Sequence, residues 1–224
     1  MGIGEMSFFK AVMAGGPVMI PIIICSVAAV GIVTAKFFYL AGIQTDVHKL
    51  KTEIFERVKN NQIKEVADLC RSDPSPIAKI FKAGVLKLGS SREEIRAAIE
   101  EASSFEIPKL EHRLPALATI AHVAPLLGLL GTVTGLAGVF HAIQVRSTSL
   151  NPVAAGDLAA GIWEALITTI AGLIVAIPAY VSYNYLVNRI NGYILDMERA
   201  AGELLNFLCR FSESRAVQTE SLND

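Results

Sequence analysis

Residues 114–145 read LPALATIAHVAPLLGLLGTVTGLAGVFHAIQV, 32 positions without Asp, Glu, Lys or Arg. At 1.5 Å per residue such a helix reaches about 48 Å, and a bilayer core of about 30 Å needs only about 20 apolar residues. Two other stretches behave in the same way. Residues 11–35 are uncharged over 25 positions and residues 165–188 over 24. A chain of 224 residues has too little polar shell to bury three such helices in a soluble core. The sequence therefore predicts an all-α membrane protein with transmembrane helices over 11–40, 114–145 and 158–188.

The cations set the expected orientation. Residues 41–113 hold 13 Lys and Arg and residues 189–224 hold four Arg, whereas the connector 146–157 holds only Arg146. Positive residues stay on the cytoplasmic side, and those close to the span ends count most. Lys36, Lys49, Lys51, Lys109, Arg113 and Arg189 agree with the bulk count. Residues 41–113 become a cytoplasmic helical loop and 189–224 a cytoplasmic helical tail. Residues 1–10 and 146–157 then lie on the outer side, with Met6-Ser-Phe-Phe9 as an amphipathic turn in the interface. The first apolar run is too long for a cleaved signal peptide, and Glu5 precedes its only early cation, Lys10.

Composition excludes several classes. The 20 basic and 21 acidic residues leave a net charge of −1, without the basic stripe a nucleic-acid binder shows. Cys25, Cys70 and Cys209 are odd in number and far apart, so neither a disulfide nor a metal site is expected. Acids, His and Cys form no nucleophile–base set, so the chain does not read as an enzyme and implies no cofactor.

The polar segments read as helices. Residues 45–59, 61–70 and 77–88 are amphipathic at helical spacing, with a break at Asp73-Pro-Ser-Pro76. Ser91-Arg-Glu-Glu94 is a capping box opening a helix toward Leu114, with bends expected near Pro108 and Pro115. After the third span Leu186, Ile190, Tyr193, Met197, Ala200, Leu204, Leu208 and Phe211 continue a heptad-like stripe. The third span should run on as one long helix. Its stripe packs either on the loop helices of the same chain or on a neighbouring subunit.

Within the spans, Gly128, Gly131, Gly135 and Gly138 fall on one helix face. Small residues let two membrane helices approach closely, which replaces the hydrophobic drive that lipid removes. The same stretch lacks the Gly-Lys-Ser/Thr ending and the preceding strand of a phosphate loop. Thr132, Thr134, Thr168 and Thr169 either bond their own helix carbonyls or face a polar lumen. Glu164, next to Trp163, is either an interfacial acid or a functional carboxylate at membrane depth. Thr168 lies one turn from it on the same face. His122 and His141, at either end of the second span, read as interfacial residues.

Two motifs carry a family resemblance. Pro125-Leu-Leu-Gly-Leu-Leu-Gly-Thr-Val-Thr-Gly135 with Phe140 resembles the second-span signature of the MotA/TolQ/ExbB proton-channel family. Gly161-Ile-Trp-Glu-Ala-Leu-Ile-Thr-Thr, Ala171-Gly-Leu-Ile-Val-Ala-Ile-Pro178 and Tyr183-Asn184 resemble its third-span signature. Three spans match the ExbB/TolQ branch, since MotA-type subunits have four. The resemblance implies a bacterial inner-membrane, multi-pass stator subunit that conducts protons and does mechanical work on the envelope. It implies a homopentamer around a single-span partner of the ExbD/TolR type, which carries an essential membrane aspartate, and output through a TonB- or TolA-type protein. By motif, Thr132, Glu164 and Thr169 match the ion-path residues. Thr168 stands where relatives often have Ala, and Thr134 where Trp is common; both add polarity. A small-solute transporter and a passive membrane scaffold are the competing readings. The transporter is disfavoured by three spans without an internal repeat.

Overall fold

The computed structural model describes residues 15–43, 47–147 and 155–220. The expected outer-side segment 1–10 and most of the connector 146–157 lie outside the described residues. Every regular element among them is an α-helix: α1 (Met19–Gly42), α2 (Val47–Lys59), α3 (Ile63–Ser72), α4 (Pro76–Val85), α5 (Arg92–Glu111), α6 (Leu114–Ser147) and α7 (Ala155–Glu220). Stretches within α1, α6 and α7 are long and apolar enough to cross a membrane. This is the all-α membrane architecture that the charge gaps predict.

The chain divides into two compact units. The first takes its described residues from 15–35, 113–147 and 155–186. It is apolar on almost every side. Ile20, Ile24, Val27, Leu126, Val133, Ile174 and Val181 all stand exposed. Helices that are apolar all round belong in lipid or against other membrane helices. The seam between α6 and α7 is tightly closed by Ala124 and Ala165 together with glycines, and Met19, Ile22 and Ala29 of α1 are also buried.

The second unit comprises residues 36–43, 47–112 and 187–220. Here amphipathic helices bury one stripe each: Leu50, Ile54 and Val58 on α2, Val66 and Cys70 on α3, and Ile95, Ile99 and Leu110 on α5. α4 is buried along most of its length. Gly84 lets it approach both neighbours, since a methyl there would lie 3.1 Å from Ile99 and 3.1 Å from Leu204. The stripe of α7 is covered from within the chain. Ile190, Met197, Ala200, Leu204 and Leu208 are all buried in this unit, and Phe207 stacks on Phe55 with ring centroids 4.1 Å apart. Lys51 pairs with Glu203, and Arg92 donates to Asn206 at 3.0 Å. Of the two partners the stripe allowed, the loop helices of the same chain fill this one.

Local chemistry explains the helix ends. Ser91 accepts from the Glu94 amide at 3.2 Å, and Ser75 caps α4 by accepting from Ala78 at 3.4 Å, with Pro76 in the first turn. The helix from Ser91 stops before Leu114 instead of bending into the span. Pro115 has no amide to give, and its ring would strike the carbonyl of Glu111 in a continuous helix. The chain therefore turns at His112 and Arg113, the latter with φ of 71°. Lys36 has a second role besides marking a span end. It is 5% exposed, and its ammonium donates to the carbonyls of Leu110 at 2.7 Å and Lys109 at 3.3 Å. These are orphan acceptors at the negative end of α5, where a cation is favoured.

Candidate functional site

The site is built on the α6–α7 seam. Gly128, Gly131 and Gly135 of α6 meet Thr168, Thr169, Ala165 and Gly161 of α7, and Gly172 returns the contact to Ala124 and Gly128. A methyl at Gly172 would lie 2.6 Å from the Ala124 carbonyl oxygen, and one at Gly128 would lie 3.0 Å from the Thr168 carbonyl oxygen. Backbone faces backbone, so only glycine fits. The helices run antiparallel, because rising numbers on α6 meet falling numbers on α7. The matching stripe on α7, Gly161, Ala165, Thr168, Gly172, Ala176 and Ala179, has the same three- and four-residue spacing. That spacing is as plain in the sequence as the glycine stripe of α6.

Gly138 departs from its three companions. A methyl there would meet nothing within 4 Å. It lines an open cleft of about 430 Å³ together with Gly131, Thr134, Gly135, Gly161 and Glu164. The seam passes from Gly135 to Val139, which packs over Gly161, and Gly138, about 100° round the helix from Val139, is left facing the cleft. Its expected packing role is not seen within the chain.

The four threonines separate. Thr134 is exposed, lines the cleft with Glu164, and bonds its own helix at Leu130 and Gly131. Thr168, expected on the path, is 1% exposed. It drops into the gap left by the missing side chain of Gly131 and donates to the Ala165 carbonyl at 2.8 Å. Thr169 is half-buried and crosses the seam, donating to the Gly128 carbonyl at 3.0 Å. Helical geometry makes the Thr132 amide the other donor to that same carbonyl. Thr132 bonds its hydroxyl to Leu129 at 2.6 Å. The Thr169 hydroxyl thus shares the Gly128 carbonyl with the backbone amide of Thr132, and Glu164 and Thr134 both line the cleft.

Glu164 is half-buried, and its carboxylate lies against Gly16 in the turn that leads into α1. Among the described residues, no other acid, Lys, Arg or His lines this cleft. His122 stands apart: its Nδ1 donates to the Ala118 carbonyl at 2.7 Å and its ring meets Tyr180 edge-on. His141 is exposed and is not among the cleft residues. Among the described residues, no group of His, Cys, Asp and Glu could hold a metal ion. A carboxylate in an open cleft, with hydroxyls on the adjoining seam, is a group able to exchange protons.

A family model described as the MotA/TolQ/ExbB proton channel family matches residues 72–199, more than half of the chain. The chain belongs to this family. Its relatives place it on the ExbB/TolQ branch. It is 33% identical to the ExbB-like 3 biopolymer transport protein of Synechocystis sp., over 77% of this chain and 81% of that one. It is 31% identical to the biopolymer transport protein ExbB of Salmonella typhimurium, over 84% of this chain and 79% of the relative. The Tol-Pal system protein TolQ of Haemophilus influenzae is 40% identical, over 53% and 50% of the two chains. The matched segment contains α5, α6, the apolar part of α7 and the cleft residues these helices supply, while Gly15, Pro17 and Val18 of the cleft lie outside it. The protein is accordingly a membrane proton-channel subunit of the ExbB/TolQ branch.

Proposed function

We propose that this chain is the stator subunit of an inner-membrane motor, in which several copies form a ring and pass protons inward to drive work on the cell envelope. The observation that carries the reading is Glu164. It is the one carboxylate of the cleft, and it borders 24 uncharged positions of α7. An ionisable group kept at such a place has a role in charge movement. Thr132 and Thr169 continue the polar line beyond it. Thr168 serves the seam and holds the line in place.

The chain lacks an aspartate within its apolar stretches, so a partner helix of the ExbD/TolR type supplies the second carboxyl. The likeness to ExbB and TolQ supports such a partner, and a TonB- or TolA-type protein as the output. Five copies would surround the partner's transmembrane helices, with the second unit of each copy in the cytoplasm. One proton falling through 100 mV releases about 2.3 kcal/mol, so a few per step suffice to move packed helices past one another.

The test is proton flux in proteoliposomes holding the chain and its single-span partner. Glu164→Gln should abolish flux while the complex still assembles, and Thr169→Val should reduce it. Full flux in Glu164→Gln would remove the carboxylate from the path.

A further inference from the structure

We infer that Gly16 is a positioning residue for the Glu164 carboxylate, an inference that rests on the reading of Glu164 as the proton carrier. The turn before α1 brings its backbone directly onto α7. The space that a side chain at Gly16 would occupy is filled by Glu164 Oε1. Its neighbour Gly15 meets Thr168, where a methyl would lie 3.3 Å from the Thr168 Cγ2. Glu164 and Thr168 are four residues apart on one helix face, so a single turn of α7 supports two consecutive glycines.

Gly16 is required twice. Its φ is +61°, a left-handed conformation that glycine adopts freely and other residues resist. It also leaves the space that the carboxylate occupies. Gly89 separates the two requirements: its φ is +91°, yet a methyl there would meet nothing within 4 Å.

The turn is stiff. Pro17 fixes the next φ, and the amides of Met19 and Ile20 bond back to the carbonyls of Gly16 and Pro17 at 3.2 and 3.3 Å. Glu164 therefore meets a rigid backbone wall. That wall restricts its rotamers and holds the carboxylate on the cleft beside Gly131, Thr134 and Gly138. A methyl at position 16 would drive the carboxylate off this place without touching its chemistry.

The experiment measures proton flux against pH for the reconstituted full-length complex. Gly16→Ala should lower flux about tenfold or more and move the pH midpoint of the profile. Adding Glu164→Asp, whose carboxylate is one methylene shorter, should return part of the lost flux, so the double variant exceeds Gly16→Ala alone. Gly89→Ala, which changes a left-handed residue of the second unit, should match the wild type. If Gly16→Ala hinders assembly, adding Glu164→Ala should restore it by emptying the contested space. Wild-type flux and pH profile in Gly16→Ala overturn the inference, as does failure of both second-site changes to relieve it. Glu164→Gln distinguishes the two levels: loss of flux there with an unaffected Gly16→Ala removes the positioning role alone, and full flux there removes both.

Discussion

Replacing Gly172 by Ala adds one methyl where α6 and α7 are closest. That methyl would sit 2.6 Å from the Ala124 carbonyl oxygen and 3.1 Å from Gly128 Cα, while ordinary contact begins near 3.4 Å. The shortfall at the carbonyl is about 0.8 Å, and both neighbours are backbone, so no rotamer can relieve it. The helices must separate locally. The Thr169 hydroxyl would then be drawn away from the Gly128 carbonyl, one turn from the insertion and now 3.0 Å distant. Overpacking costs about 1–3 kcal/mol, and an interhelical hydrogen bond in a membrane adds about 0.6. Alanine's better helix propensity gives back up to about 1 kcal/mol. With that gain complete, the net expectation is a loss of about 0.6–2.6 kcal/mol. Gly138→Ala is the internal comparison: the same propensity gain applies, no contact opposes it, and stability should hold or rise by up to about 1 kcal/mol. Reversible unfolding of the detergent-solubilised chain, followed by circular dichroism, measures both. Gly172→Ala at wild-type stability, or Gly138→Ala as damaging as Gly172→Ala, would refute the seam.

Three further predictions concern the second unit. Lys36→Met should destabilise it by about 1–3 kcal/mol, because the carbonyls of Leu110 and Lys109 lose their buried donor; thermal unfolding checks this. Burial pushes the Glu106 pKa up, but hydrogen bonds from Lys109 and Lys79 and the charges of both outweigh it and hold the carboxyl below its ordinary value. The pair contribution is thus complete above the unfolded carboxylate pKa and is lost as pH falls through the lower folded value. Acid unfolding curves of Glu106→Gln should be flatter than wild type in that window. Cys70 is pushed up to about 11 by its burial and by Asp73, against the pull of Lys82. Maleimide labelling of the folded protein at pH 8 should spare Cys70, while unfolding should expose it.

The fold was readable because the bilayer imposes simple rules. A charge-free run of 32 residues needs no partner to declare itself a span. Ser91 and the heptad-like positions of α7 were equally plain, since caps and stripes are local patterns. What the stripe packs against was not, because spacing shows an apolar face and not its cover. Gly138 illustrates the same limit: it shares a face with Gly128, Gly131 and Gly135, yet the seam continues through Val139 and leaves Gly138 without a contact. Thr168 and Thr169 are adjacent in sequence, and only the three-dimensional seam separates a buried wedge from a cross-helix donor. Gly16 carried no signal, because its partner lies far along the chain. Lys36 looked like a flanking charge, since nothing local reveals that α5 ends beside it.

The most direct test is the structure of the intact membrane complex viewed along its axis. The account predicts identical copies around a hydrated central opening, with Glu164, Thr132 and Thr169 of each copy facing it beside the partner helices. A solitary chain, or a ring whose Glu164 carboxylates point into lipid, would contradict it.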